Sequence, residues 1–130
     1  MTNDIIPTTT DHIQTIEGYF DCWNTTDGDA RAALVARVYV PDAHLVDPLV
    51  DVTGHEALTE LFATFHVTYV GHSFRRVGGI DAHHDLVRWG WEMLDADGNV
   101  VLDGIDAALL ADDGRISFVA GFFGAALPAE

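Results

Sequence analysis

Apolar residues in the first third of the chain recur at helical spacing. Ile13, Ile16, Phe20 and Trp23 follow one another at intervals of three and four residues, which places them on one face of an amphipathic helix. Polar residues 24–29 then end this helix, and Asp29 can cap a second one that runs to about residue 39. The pattern therefore predicts two consecutive helices before the first strand.

A third helix is expected after residue 53. Thr53-Gly54-His55-Glu56 fits the S/T-x-x-E capping box, in which the Thr hydroxyl and the Glu carboxylate satisfy backbone N–H groups at the helix start. The apolar positions that follow share one helical face, and they are Leu58, Leu61, Phe62, Phe65 and Tyr69. Gly71 is a plausible end of the helix.

From residue 73 the spacing of apolar residues changes to that of strands. Strands are predicted over 73–80, 85–94, 100–110 and 115–124, after a short one over 43–46. Trp89 and Trp91 alternate with Arg88 and Gly90 and so share one strand face. Residues 95–99 and 112–114 have the composition of turns, and Gly78-Gly79 is typical of a bulge in a curved sheet.

Three helices followed by a long meander predict an α+β fold in which the helices pack on one side of a curved, mixed or antiparallel sheet. Such a sheet encloses a conical apolar pocket, and an apolar cavity with few polar groups is the usual ligand site. At 130 residues the chain is expected to form a single domain over 1–130, with residues 1–9 as a flexible lead-in.

The charge of the chain excludes some classes of partner. Six basic and 21 acidic residues give a formal net charge of −15, whereas binding to nucleic acids or anionic membranes requires a basic surface. Cys22 is the single cysteine of the sequence, so no disulfide can form within the chain. The N-terminus shows neither a signal peptide nor a membrane-spanning stretch. We expect a cytoplasmic protein that binds neither nucleic acids nor membranes.

Two aspartates stand where aspartate is a poor structural choice. Asp106 interrupts the apolar run over 100–110, and Asp47 ends the strand-like stretch 43–46 directly before Pro48. Aspartate is depleted in strands, and a carboxylate that faces a core has to be paired, hydrogen-bonded or neutralised. If both side chains point into one apolar cavity, they are candidates for acid–base chemistry.

Structural roles for both residues stay open. Asp47 can hold a turn by accepting backbone hydrogen bonds, and Asp106 can pair with Arg88 or another buried donor. The seven histidines form no metal signature, so we expect neither a metal nor another cofactor.

Taken together, the order and spacing of several short motifs resemble SnoaL-like proteins of the NTF2-like superfamily, from about residue 10 to residue 124. The superfamily includes ketosteroid isomerase, polyketide cyclases and limonene-epoxide hydrolase. The motifs are, in order, Tyr19-Phe20, Trp23-Asn24, Asp27, Asp47-Pro48, Gly54-His55-Glu56-Ala57-Leu58, Gly104-Ile105-Asp106, Asp113-Gly114-Arg115-Ile116 and Phe122-Phe123.

Within this superfamily, ketosteroid isomerase offers the closest chemical match. The resemblance implies that Asp47 is a general base next to a substrate carbonyl. It also implies that Tyr19, on the first helix, and a protonated Asp106 donate hydrogen bonds to the enolate oxygen. Alternatively, Tyr19 packs its ring beside the helix stripe and leaves its hydroxyl at the rim of the pocket.

The function expected from this resemblance is a small cofactor-independent isomerase, dehydratase or cyclase that acts on an apolar carbonyl or cyclic substrate. Residues expected to line its pocket are Trp89, Trp91, Phe20, Phe62, His66 and Arg88. Epoxide hydrolysis is a rival that requires Arg88 between the carboxylates. A second rival is a non-catalytic module for ligand binding or dimerisation, and a homodimer through the outer face of the sheet is expected in either case.

Overall fold

The computed structural model describes residues 10–127, and the lead-in expected over 1–9 lies outside them. The chain forms three helices, α1 (Thr10–Asn24), α2 (Gly28–Val38) and α3 (His55–Thr68), and two short strands lie between α2 and α3. The strands are β1 (Tyr39–Val46), β2 (Asp51–Thr53), β3 (Ser73–His83), β4 (Leu86–Leu94), β5 (Val100–Leu110) and β6 (Ile116–Phe123). The predicted α+β fold is confirmed.

The six strands form one mixed sheet in the order β2-β1-β6-β5-β4-β3. Strands β3 to β6 make the antiparallel meander that the alternation predicts. Strand β1 pairs in parallel with β6, which brings residues 44–46 beside 118–120. This parallel pairing places the chain after β1 next to the last strand of the meander.

The sheet bends at irregularities in its register. The pairing of β3 with β4 shifts between Val77 and Ile80, where Gly78 has a φ of +73°, so the bulge predicted at Gly78-Gly79 is confirmed. Further shifts lie between Met93 and Leu94 and between Leu109 and Leu110. Bulges increase local twist, and here they curve the sheet around the helices.

Helix α1 lies against the concave face of the sheet and is held at its end by Asn24. The Asn24 side-chain amide donates to the Phe74 carbonyl, and the Phe74 N–H donates back to Asn24 Oδ1, both at 2.8 Å. Helix α3 is linked to α1 by a hydrogen bond of 2.7 Å from His66 Nε2 to the Trp23 carbonyl. These contacts fix the helix that carries Tyr19 over the sheet.

Two predicted helix caps are wrong. The N-cap of α2 is Asp27, whose carboxylate accepts the Ala30 N–H at 2.9 Å, while Asp29 lies within the first turn. Helix α3 begins after Gly54, which has a φ of +95° and no side-chain cap. Thr53 instead ends β2, a strand that the pattern did not predict, and is therefore in a ladder with His44 rather than at the cap position.

Gly104 is the strand position with the least room for a side chain. A Cβ there would lie 2.1 Å from the Phe122 carbonyl oxygen and 2.3 Å from the Trp91 indole. We expect Gly104→Ala to lower the free energy of unfolding by about 1–3 kcal/mol, since overpacking forces neighbouring groups to shift. Chemical denaturation measures this change.

Gly79→Ala in β3 is the matched control, because a Cβ at Gly79 meets nothing within 4 Å. It should change the free energy of unfolding by no more than about 0.5 kcal/mol. Equal stabilities of the two variants would contradict the close packing at Gly104.

Candidate active site

Asp106 is the buried carboxyl group at the centre of the candidate site. It lies on the concave face of β5, paired in register with Trp89 of β4 and Gly121 of β6, and only 5% of its surface is exposed. Its Oδ2 accepts a hydrogen bond from the Tyr19 hydroxyl, and its Oδ1 accepts one of 2.8 Å from Trp91 Nε1. The alternative that Asp106 pairs with a buried donor therefore holds for Tyr19 and Trp91, and it is wrong for Arg88, which donates to Asp81.

The surroundings of Asp106 favour its neutral form more than water does. Burial raises the pKa of the Asp106 carboxyl from 3.8 to about 6, although the hydrogen bonds from Tyr19 and Trp91 lower it and the nearby Asp47 charge raises it. Desolvation disfavours the charged form, and hydrogen bonds to a carboxylate favour that form. Asp106 can therefore take up and release a proton near neutral pH.

Tyr19 reaches Asp106 from α1. Its ring packs edge-on against Phe20 and Trp89, with centroid distances of 5.4 and 4.9 Å. Burial, followed by the neighbouring Asp106, raises the pKa of the Tyr19 hydroxyl well above its usual value, so this group remains a hydrogen-bond donor. The alternative that leaves the hydroxyl at the rim of the pocket is wrong, because the whole side chain is buried.

Asp47 follows the last residue of β1 and lines the same cavity as Asp106. Its Oδ1 accepts the N–H groups of Leu49 and Val50 at 2.8 and 3.0 Å. Asp47 therefore does hold the turn that leads into β2. The same hydrogen bonds fix the direction of its carboxylate, so the structural role also positions a group at the cavity wall.

Gly121 separates the two aspartates. A Cβ on this residue would lie 2.9 Å from Asp106 Oδ1 and 3.1 Å from the Asp47 Cβ. Both side chains thus approach one point on β6, and they can do so because that point carries no side chain. The sequence showed no sign of this role, since it follows from the pairing of β6 with both β1 and β5.

The two carboxylates lie in a cavity of about 210 Å³ between α1, α3 and the sheet. Most of its lining is apolar, and aromatic rings from α3 and β3 pack edge-on or tilted against Trp23 of α1. Lining residues that the sequence analysis missed include Trp23, Leu61, Phe65, Phe74 and Met93. Periodicity placed the first three on apolar helix faces and the last two in strands, and periodicity does not distinguish a filled core from a cavity wall.

Five of the nine predicted site residues line this cavity. They are Tyr19, Phe20, Asp47, Trp91 and Asp106. Trp89 and Phe62 lie outside the lining: both are buried behind it, where Trp89 supports the Tyr19 ring and Phe62 packs on Trp23 at 4.6 Å.

Two further lining predictions are wrong. His66 is half-buried and is not among the residues that line the cavity, and its Nε2 is hydrogen-bonded to the Trp23 carbonyl. Arg88 is exposed on the opposite face of β4 and donates to Asp81 at 2.9 Å, because strand alternation turns it away from Trp89. The arrangement required for epoxide hydrolysis, with Arg88 between the carboxylates, is absent.

The described residues show neither a metal-binding cluster nor a membrane-spanning helix. Residues 10–127 contain no group of three or more His, Cys, Asp or Glu side chains placed to hold a metal ion. No helix in that part of the chain has both the length and the apolar character needed to cross a bilayer.

Comparison with solved structures identifies similar folds. A SnoaL-like protein from Agrobacterium tumefaciens, described as a candidate isomerase, is 28% identical with a TM-score of 0.85 over 89% of this chain and 99% of that one. A candidate polyketide cyclase from Sinorhizobium meliloti is 17% identical, with a TM-score of 0.66 over 83% of this chain and 93% of that one. A protein of unknown function with a cystatin-like fold from Methylobium petroleophilum is 19% identical, with a TM-score of 0.73 over 94% and 81%.

Sequence comparison assigns the family. Curated protein sequences contain no significant match to the chain. A family model for the SnoaL-like domain matches residues 16–119, which are most of the described residues. The chain, with three helices packed on a curved sheet, belongs to the SnoaL-like family.

Proposed function

We propose that the protein is a cofactor-independent enzyme that moves a proton next to the carbonyl group of a small apolar substrate. The observation that carries this proposal is the buried Asp106, which faces an apolar cavity together with Asp47 while Tyr19 and Trp91 donate to its two oxygens. Pairs of carboxyl groups in different environments are a recurring arrangement for acid–base catalysis. Here one is enclosed and the other lies at the cavity wall.

Asp47 is the proposed base. Its Oδ1 is occupied by two backbone N–H groups, which leaves Oδ2 to take a proton from the carbon next to the substrate carbonyl. The electrons of the broken C–H bond move to the carbonyl oxygen and give an enolate. Return of the proton to the same carbon exchanges it, and return to another carbon isomerises the substrate.

Asp106 and its partners are proposed to stabilise the enolate oxygen. Tyr19 and Trp91 already direct hydrogens at the Asp106 oxygens, so a proton on Asp106 takes one of the lone pairs that they leave free, on a side chain that lines the cavity. A donor fixed in an apolar, water-excluding site stabilises developing negative charge strongly. The relative from A. tumefaciens, described as a candidate isomerase, supports this class of reaction.

Enolate formation can be measured without the natural substrate. We expect the protein to catalyse deuterium uptake next to the carbonyl of cyclohexanone in D₂O, followed by proton NMR. Asp47→Asn should abolish the exchange and keep phenol binding, and Asp106→Asn should slow it about 10²–10⁴-fold.

Asp81→Asn is the control, because Asp81 is exposed and pairs with Arg88 on the outer face. It should exchange at the wild-type rate. Phenol binding with no exchange in the wild type would instead favour a non-catalytic binding module.

The proposed role of Asp106 gives the exchange a pH dependence of defined sign. The donating form is protonated, and the pKa of Asp106 is about 6, so kcat/KM should fall as the pH rises through about 6. Asp106→Asn is slower but always neutral, so this decline should be missing from its profile. A rate that rises through the same range would make Asp106 the base and contradict the assignment.

A homodimer through the outer face of the sheet is the proposed assembly. Leu86, Leu109 and Phe122 lie on this face and are 46%, 41% and 62% exposed. We expect light scattering to give a dimer at micromolar concentration and a monomer for Phe122→Asp. Val67→Asp on α3, where Val67 is 78% exposed, should remain dimeric, and a monomeric wild type would contradict the proposal.

The cytoplasmic location stays a prediction from the sequence.

A further inference from the structure

We propose that the site selects uncharged carbonyl compounds about the size of one substituted ring and rejects both steroid-sized and anionic molecules. This inference rests on the proposed function, because it names the substrate class of the same site. Three observations carry it: the volume of the cavity, the position of its polar groups and the charges along its wall.

The volume of the cavity limits the size of the ligand. Pockets for drug-sized ligands usually measure about 300–1,000 Å³, and an engineered apolar cavity of about 150 Å³ takes one benzene molecule. The cavity of about 210 Å³ lies between these cases. One ring with a short substituent fills such a space, whereas most of a molecule with four fused rings would lie outside it, at the open side where the lining residue Leu49 is 73% exposed.

Side chains at fixed positions set this limit. Trp91 of β4 lines the cavity, and its Nε1 donates a hydrogen bond to Asp106. Its indole packs directly against Gly104, where a side chain would leave it no room. Phe74 packs on Phe65 at 4.9 Å and on Trp91 at 5.5 Å. Because these rings pack against one another, one of them cannot move outward and enlarge the cavity without displacing the others.

The polar groups define how the ligand is oriented. Tyr19, Trp91 and Asp106 form a hydrogen-bonded group at the buried end, while most of the remaining lining is apolar. A ligand with one oxygen therefore places that oxygen at Asp106 and its hydrocarbon part among the aromatic rings. A second strongly polar group would be desolvated there without a partner, which is costly.

The charges along the wall decide against anions. Among the described lining residues, the ionisable carboxyl groups are those of Asp47 and Asp106, and no Arg, Lys or His is present. The chain as a whole carries a formal charge of −15. A carboxylate or phosphate on the ligand would therefore meet repulsion at the site and over the whole surface, with no cation to offset it.

A series of phenols tests size and charge separately, since a phenol oxygen can accept the hydrogen bonds intended for an enolate. Calorimetric titration would compare 4-ethylphenol with estradiol, and methyl 4-hydroxybenzoate with 4-hydroxybenzoate at neutral pH. We expect 4-ethylphenol and the ester to bind at least about tenfold more tightly than their counterparts. Equal or tighter binding of estradiol or of the carboxylate would overturn the proposal.

Two variants link the preference to the cavity. Met93 lines the cavity, so Met93→Ala enlarges the cavity and should bring the affinity for 2-naphthol close to that for 4-ethylphenol. Val87 is buried on the same face of β4 but does not line the cavity. Val87→Ala should therefore leave the ratio of the affinities for 4-ethylphenol and 2-naphthol at its wild-type value. Unchanged ratios in both variants would show that the cavity does not select for size.

The outcome is distinguishable from a failure of the proposed function. Exchange of cyclohexanone together with tight binding of estradiol would refute the size limit and keep the proton-transfer chemistry. Selective binding of small neutral phenols with no exchange would refute the chemistry and keep the ligand class.

Discussion

Asp106 carries a carboxyl group into an apolar interior, and most features of the site follow from the need to satisfy it. A buried carboxylate without partners would be costly, and here Tyr19 and Trp91 each donate to one of its oxygens. Tyr19 can do so only because α1 crosses the concave face of the sheet, where Asn24 fixes the end of the helix to β3. Gly104 and Gly121 leave room for the Trp91 indole and for the carboxyl group itself.

This arrangement costs stability at neutral pH. The folded protein binds the Asp106 proton more tightly than the unfolded chain does, since burial raises the pKa from 3.8 to about 6. The contribution to stability is therefore fully present below the lower value and is lost as the pH rises through the higher one. A difference of about two pKa units corresponds to about 3 kcal/mol, which is a large part of the stability of a small domain. A site that stores this cost is typical of function rather than of packing.

The sequence predicted those parts of the structure that depend on local periodicity. Alternation along β4 placed Trp89 and Trp91 on one shared strand face, and the unusual Asp106 within an apolar strand identified the buried carboxyl group. What it missed depends on pairing between distant segments. Gly121 acquires its role because β6 lies between β1 and β5, and no local pattern encodes that order.

Other errors show where local chemistry has more than one solution. Thr53 and Glu56 satisfy the capping-box pattern, yet Thr53 pairs with His44 in a strand and Gly54 takes the cap position. Arg88 was considered as one alternative partner for Asp106 because buried acids need partners, although strict alternation already placed it on the face opposite Trp89. The donors that Asp106 required came instead from an indole and a phenol, which composition alone does not mark as its partners.

Asp106 is a buried acid whose ionised form is stabilised by hydrogen bonds from Tyr19 and Trp91. Carbon-13 NMR of labelled aspartate carboxyl groups, assigned with Asp106→Asn, measures the pKa of Asp106 directly in the wild type and in Tyr19→Phe. We predict a pKa of about 6 in the wild type and a higher one in Tyr19→Phe, because the lost hydrogen bond favoured the charged form. A wild-type pKa near the usual 3.8 that Tyr19→Phe leaves unchanged would contradict the claim.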